Sequence, residues 1–168
     1  DTSNLQTYLY YAKACRGLGE PIRAVSMLTE AIGKRDDFYA ARLLRGSILL
    51  DQAQLSEAEL DATFLYEHIP DNEDVLLLKA RVEKAQGKME EAEQTYGKVM
   101  DVNPFSIDAY RERSEVRRSL GDSAGAAEDE AAAKEMGAEI PEPSEGIEQK
   151  IKEKMQQMDP YKVFHNEY

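Results

Sequence analysis

Cysteine, histidine, proline and glycine are all scarce in this sequence, and each scarcity excludes a class of protein. The single cysteine, Cys15, excludes an internal disulfide framework and a cysteine-based zinc site. The two histidines, His68 and His165, lie far apart and outside any metal-ligand spacing. Six prolines and ten glycines in 168 residues are too few for a fibrous or disordered chain. We therefore expect a folded protein without a metal or other cofactor.

Long hydrophobic runs and an excess of positive charge are missing as well. No apolar run approaches the roughly 20 residues that span a bilayer, so we expect no membrane insertion. The net charge of −12 argues against nucleic acid and anionic membrane surfaces, because both attract clustered cations. A hydrophobic content of 42% with 32% charged residues fits a soluble helical protein. No leader pattern is visible; a cytoplasmic location is slightly favoured, and export stays open.

A period of 34 residues organises the chain, and small residues mark it at two places in each unit. The first place is held by Ala12, Gly46, Ala80 and Ser114. The second place, twelve residues later, is held by Ala24, Ala58, Ala92 and Ala126. Two helices can cross closely only where the residues at the crossing carry little side chain. The pattern therefore predicts four helical hairpins.

A turn position follows seven residues after the first small residue of each unit. It holds Gly19, Gly87 and Gly121 in three units, and glycine readily takes the left-handed conformation that ends a helix. The second unit has Ala53 there instead. We therefore expect the turn at Ala53 to close with a different geometry.

These residues resemble the tetratricopeptide repeat, most clearly over LLLKARVEKAQGKMEEAEQTYGKVMDVNP, residues 76–104. The four units are 5–38, 39–72, 73–106 and 107–140. The resemblance implies an all-α fold: a right-handed superhelical α-α solenoid of four hairpins plus a C-terminal capping helix. It also implies that the first helix of each hairpin lines a concave, peptide-binding groove. Two places depart from the family pattern, with Arg42 and Glu130 where large apolar or aromatic residues are usual.

A cationic residue recurs at one place that is usually apolar, as Arg45, Lys79 and Arg113. One interpretation is structural: each long stem lies along the helix interface while its charge reaches water or a neighbouring carboxylate. The other interpretation is a cationic ladder that serves a ligand. The sequence favours the structural interpretation and leaves the other open.

Two further segments follow the repeats. Residues 144–158 carry a narrow apolar stripe of Ile147, Ile151, Met155 and Met158, which predicts a helix that caps the last hairpin. A partner-binding or dimerising helix would use the same stripe. Residues 159–168 hold three aromatic side chains. They predict either a tail that docks on the repeats, on a second copy or on a partner, or a frayed terminus.

Nothing in the sequence resembles an active site. There is no glycine-rich phosphate loop, no nucleophile elbow and no histidine–carboxylate pair at a useful spacing. Cys15 falls on an apolar helical stripe, which indicates a buried structural thiol. Carboxylates at this density usually form solvated helix faces. We therefore predict that the protein is not an enzyme, although the abundant carboxylates leave an enzymatic hypothesis formally available.

The sequence is more informative about a binding surface. The resemblance places ten residues on the concave face: Leu9, Lys13, Arg16, Leu43, Ser47, Leu77, Arg81, Lys84, Arg111 and Arg118. Cations dominate this set, so an acidic peptide is one candidate ligand. We therefore predict a protein-interaction scaffold that binds a peptide segment of another protein. The alternative is self-association or self-occlusion, in which the aromatic tail 159–168 fills the groove.

Overall fold

A computed structural model describes residues 2–138, and the side chains of residues 4–137. Residues 2–133 belong to one compact body, whereas Lys134–Ala138 belong to a second. The predicted capping helix 144–158 and aromatic tail 159–168 lie outside the described residues, so both stay predictions. The end of the predicted fourth unit, residues 139–140, lies outside them too.

The described residues form eight α-helices and no strand. The helices are α1 Thr2–Gly17, α2 Pro21–Lys34, α3 Tyr39–Asp51, α4 Leu55–His68, α5 Glu73–Ala85, α6 Met89–Val102, α7 Ile107–Ser119 and α8 Ser123–Ala138. They pair in chain order as four hairpins, each joined by a three-residue turn. Within residues 2–133, α2 also packs on α3, α4 on α5 and α6 on α7, so each hairpin packs on the next.

The helix boundaries repeat the sequence period. Helices α3, α5 and α7 begin at Tyr39, Glu73 and Ile107, which are 34 residues apart. The second helices begin at Pro21, Leu55, Met89 and Ser123, again at intervals of 34. Local signals agree with these boundaries: Pro21 stands at the start of α2, and the Asn72 side chain caps α5 by accepting a hydrogen bond from the Val75 amide. The all-helical repeat predicted from the sequence is confirmed.

The small residues lie at the helix crossings, as predicted. The seven that carry a side chain are Ala12, Ala24, Ala58, Ala80, Ala92, Ser114 and Ala126, and none is more than 2% exposed. The eighth, Gly46, is also buried. A Cβ atom on Gly46 would lie 2.9 Å from Cδ2 of Leu78 and 3.2 Å from Cβ of Asp61. The absence of a Cβ at Gly46 therefore lets α3 pack closely on both α4 and α5.

The turns within the four hairpins are alike, which corrects the expectation for Ala53. Its φ angle is +57°, in the left-handed region, close to the +75°, +78° and +85° of Gly19, Gly87 and Gly121. The amide of Gln54 donates to the carbonyl of Leu49 at 2.9 Å, as the amides after the three glycines do at equivalent carbonyls. The same three-residue turn is thus kept in the second hairpin, and an L-residue bears its conformational strain.

The core follows the hairpins as three clusters of buried apolar residues. The first cluster joins α1 and α2 to the start of hairpin two and contains Cys15, which is 3% exposed, as predicted for a structural thiol. The second contains Tyr96, the largest fully buried side chain, and the third contains Leu65 and Leu78. Because each cluster contains residues of two neighbouring hairpins, stability is shared along the array.

We predict that Gly87→Ala and Ala53→Gly, at equivalent places of two turns, change the stability of the protein in opposite directions. Gly87→Ala should lower the free energy of unfolding by about 1 kcal/mol, because a Cβ is strained at positive φ although nothing lies within 4 Å of it. Ala53→Gly should raise that free energy by a similar amount, about 1 kcal/mol, by removing the same strain. Urea unfolding curves measure both. A loss of stability in Ala53→Gly would contradict the assigned turn.

We also predict that Ala92→Leu lowers the free energy of unfolding by about 1–3 kcal/mol, because Ala92 is fully buried at a crossing and extra methyl groups force the helices apart. Ala127→Leu on the exposed surface of α8 is the matched control and should change stability little. Thermal melts followed by circular dichroism give the unfolding midpoint of each variant. Equal midpoints for the two variants would contradict the register of the repeat.

Candidate functional site

The first helices of the hairpins line two adjoining clefts. The first cleft has a volume of about 420 Å³ and is lined by residues of α1, α3 and α5. The second has a volume of about 520 Å³ and is lined mainly by α5 and α7, with Met89 and Tyr96 of α6. Leu50 and Arg81 line both clefts. We call the two clefts together the inner groove.

Most of the ten residues predicted for the concave face line this groove. The first cleft brings together Arg16, Leu43, Ser47, Leu77 and Arg81. The second brings together three of the predicted cations, Arg81, Lys84 and Arg111. The register of the repeat therefore places seven of the ten residues along one groove.

The other three predicted residues lie elsewhere. Leu9 is packed in the first core cluster and is 8% exposed. The Lys13 ammonium lies 5.9 Å from the centre of the Tyr10 ring. Arg118 forms an ion pair with Glu130 on α8, so its charge is partly satisfied within the last hairpin. A role in peptide binding stays a prediction for all ten residues.

Apolar side chains that were not singled out from the sequence complete the groove. In the first cleft they are Leu44, Leu50 and Leu78; in the second they are Leu50, Ala85 and Met89. A sequence signal existed for Leu50, because it lies 34 residues from both Arg16 and Lys84. Because the equivalent places hold the cations Arg16 and Lys84, the prediction emphasised charge and omitted Leu50. The floor of the groove is consequently more apolar than predicted.

Three of the four cations of the groove are already paired with carboxylates of the following hairpin. Arg16 donates to Asp51 at 2.6 Å, which links α1 to α3. Lys84 forms an ion pair with Glu115, which links α5 to α7. Arg81 binds Glu112 through Nε and Nη2 at 2.7–3.0 Å. These pairs connect neighbouring hairpins along the groove.

Glu112 is the centre of a small network between the third and fourth hairpins. It accepts from Arg81 and also from the Tyr96 hydroxyl at 2.9 Å. Hydrogen bonding to Glu112 raises the pKa of the Arg81 guanidinium, and burial, followed by the charge of Glu112, raises the pKa of the Tyr96 hydroxyl. Tyr96 therefore keeps its proton and remains a donor to Glu112. The network fixes Arg81 rather than leaving it free for a ligand.

The groove is nearly neutral in consequence. Its lining contains four cationic side chains, Arg16, Arg81, Lys84 and Arg111. It also contains five anionic side chains, Asp51, Asp74, Asp108, Glu112 and Glu115. The basic field expected from the sequence is therefore offset by acidic residues of the same surface.

The recurring cations at the usually apolar place are structural, as the sequence favoured. Arg45 binds Asp61 through two hydrogen bonds of 2.8 and 2.6 Å, and Asp61 is 1% exposed. Arg113 binds Asp129 in the same way at 2.8 and 2.7 Å. Each carboxylate follows its arginine by 16 residues, from the second helix of the same hairpin. These charges lie inside the hairpins, so they form no ladder toward the groove.

The third hairpin also pairs the cation at this place with a buried carboxylate, but it uses different residues. Thr95 stands 16 residues after Lys79, where the other two hairpins have an aspartate. The carboxylate is supplied by Glu83, one turn after Lys79, and Thr95 donates to Glu83 at 2.6 Å. Glu83 is 8% exposed. A buried anion is thus satisfied in each of these three hairpins.

Among the described residues, no group of three or more His, Cys, Asp or Glu side chains is placed to hold a metal ion. None of the helices that the structure describes is long and apolar enough to cross a bilayer.

We predict that Asp61→Ala lowers the free energy of unfolding by about 3 kcal/mol, because it leaves the half-buried Arg45 guanidinium without its carboxylate. Adding Arg45→Met should restore most of the loss, since it removes the uncompensated charge. Asp71→Ala on the exposed surface is the control. The measurement is the urea midpoint, and a double variant no more stable than Asp61→Ala would contradict the assigned pair.

Comparison with known proteins identifies the fold. No protein-family model and no curated protein matches the sequence. The structure is similar to that of MamA from Desulfovibrio magneticus, with a TM-score of 0.75 and 18% identity over 82% of this chain and 78% of that one. It is also similar to a thermophilic TPR protein of Thermus thermophilus, with a TM-score of 0.70 and 17% identity over 79% and 74% of the two chains. The described part of this chain therefore has the tetratricopeptide-repeat fold.

Proposed function

We propose that this protein is an interaction scaffold whose inner groove binds a peptide segment of a partner protein. The observation that carries the proposal is the pair of adjoining clefts, which share Leu50 and Arg81 and continue across α1, α3, α5 and α7. Two clefts of about 420 and 520 Å³ are each large enough for side chains of a bound segment.

The lining of the groove suits peptide side chains better than a small polar ligand. The apolar lining of the first cleft is Leu43, Leu44, Leu50, Leu77 and Leu78, and Ala85 and Met89 contribute to the second. The ion pairs Arg16–Asp51 and Lys84–Glu115 line the same clefts. Protein interfaces commonly combine apolar surface with polar groups in this way. A segment with apolar anchor residues would therefore gain most of its affinity from the floor.

The charge balance bears on the acidic ligand predicted from the sequence. An acidic segment would have to compete with Asp51, Glu112 and Glu115 for cations that these carboxylates already bind. Breaking such pairs costs free energy that the new contacts must exceed. The geometry favours a segment of balanced charge over a strongly acidic one.

The alternative is that the chain's own residues 159–168, or those of a second copy, occupy the groove. Their three aromatic side chains could serve as the apolar anchors. Both hypotheses use the same surface, so they differ only in the identity of the bound segment.

We predict that Ser47→Tyr weakens groove binding without unfolding the protein. Ser47 lines the first cleft and is only partly buried, so a tyrosine there fills the cleft. A partner captured from the source organism's lysate would be divided into overlapping labelled peptides, and fluorescence anisotropy would give each dissociation constant. Ser47→Tyr should weaken the tightest peptide by at least about tenfold, or 1.4 kcal/mol.

The matched control is Ser56→Tyr, which places the same side chain on an exposed position of α4. It should bind as the wild type does, and circular dichroism should show both variants folded. Equal binding by both variants would contradict the groove. A labelled peptide of residues 159–168, titrated into a chain ending at Met158, tests the alternative: binding that Ser47→Tyr weakens would support the tail as ligand.

A further inference from the structure

We propose that Asp74 and Arg111 select the charge pattern of the segment bound in the inner groove. The bound segment then carries a cationic residue at Asp74, an anionic group at Arg111 and apolar residues between them. This inference rests on the proposed function and adds the class of ligand. It assigns a specificity role to two side chains rather than to the whole set of groove cations.

The other cations of the groove are unsuited to read a ligand, because each is held by a carboxylate. Arg81 uses both its Nε and Nη2 atoms on Glu112, and its Nη2 also lies 3.9 Å from Asp108. Arg16 and Lys84 are engaged by Asp51 and Glu115. The same pairs account for four of the five anions of the lining. A ligand that recruited any of these groups would have to break an existing ion pair.

Asp74 and Arg111 differ from the rest of the lining. Both side chains are exposed, and neither forms a hydrogen bond, ion pair or ring contact with another residue in the described part of the chain. Asp74 lies in the first turn of α5, and Arg111 in the second turn of α7. A ligand charge can therefore pair with either group without disrupting a contact that holds the hairpins together.

The two groups lie in different parts of the groove. Asp74 lines the first cleft and Arg111 lines the second. Leu50 and Arg81 are common to both clefts, and Arg81 is held by Glu112. Leu50, Leu77 and Met89 supply apolar surface in the two clefts. A segment that occupies both clefts passes from a free anion, over apolar side chains, to a free cation. Its order of charges is therefore fixed relative to the groove.

Selectivity follows from repulsion as much as from attraction. A uniformly acidic segment would place a carboxylate near Asp74 in a cleft whose other anion, Asp51, is already satisfied. A uniformly basic segment would place its cation near Arg111. Both arrangements are penalised, whereas the mixed segment meets an opposite charge at each end.

A charge-swap experiment tests this inference. A random twelve-residue peptide library displayed on phage is selected against the immobilised full chain and against the double variant Asp74→Lys/Arg111→Glu. The swap leaves the net charge at −12, because one anion and one cation exchange signs. Wild type should enrich peptides in which apolar residues separate a basic from an acidic residue in one order along the peptide. The double variant should enrich peptides with the two charges in the reverse order. Synthetic peptides from each pool should bind the mismatched protein roughly tenfold more weakly.

Two controls separate this inference from the proposed function. Asp71→Lys reverses an exposed charge outside the groove lining and should enrich the same peptides as wild type. Ser47→Tyr should lose the enrichment altogether. If Ser47→Tyr loses it but the swapped protein enriches the wild-type pattern, the groove binds peptides and our assignment of Asp74 and Arg111 is overturned. Enrichment that survives Ser47→Tyr, or no enrichment by wild type, overturns both proposals.

Discussion

The close crossing of two helices at small side chains is the constraint on which the rest of this structure depends. Eight positions, two in every hairpin, are held by alanine, glycine or serine, and all are buried. At Gly46, one missing Cβ makes room for Leu78 of the following hairpin. Because small side chains close each hairpin in the same way, the helix starts from α2 onward repeat at intervals of 34 residues, and the first helices line one groove.

A buried carboxylate bound by a cation recurs in three hairpins, although the residues that form it differ. Hairpins two and four use an arginine and an aspartate 16 residues later, whereas hairpin three uses Lys79, Glu83 and Thr95. In each case a carboxylate that is at most 8% exposed receives hydrogen bonds from a long cation of the first helix. The arginine–aspartate pairs favour one arrangement of the two helices, since a shifted helix would leave a buried charge without its partner. In hairpin three the hydrogen bond from Thr95 on α6 to Glu83 on α5 links the two helices.

The sequence was sufficient for the fold because the fold is local and periodic. The period, the small crossings and the glycine turns all lie within a span of 34 residues, and each has a direct physical reason. The prediction for Ala53 was wrong because propensity argued against a left-handed alanine, whereas the packing of α3 and α4 imposes the turn regardless.

The groove was only partly predictable. Register alone placed seven of its residues, but register does not show which cation meets which carboxylate. The pairs Arg81–Glu112 and Lys84–Glu115 each join residues that are 31 apart, on different hairpins, and depend on how those hairpins stack. The charges of the first helices therefore suggested a mixed-to-basic surface, whereas the residues that line the clefts are nearly balanced in charge.

The pairing also determines how the groove can be dissected. Charge reversal at Arg81 would remove the partner of Glu112, to which the buried Tyr96 hydroxyl also donates. Lost binding in such a variant would report disruption between the third and fourth hairpins as readily as a lost ligand contact. Added bulk at Ser47 and exchanged charge at Asp74 and Arg111 avoid this ambiguity, because none of these three side chains forms a polar contact within the described residues. The residues best suited to recognise a ligand are therefore those that the scaffold does not use to hold itself together.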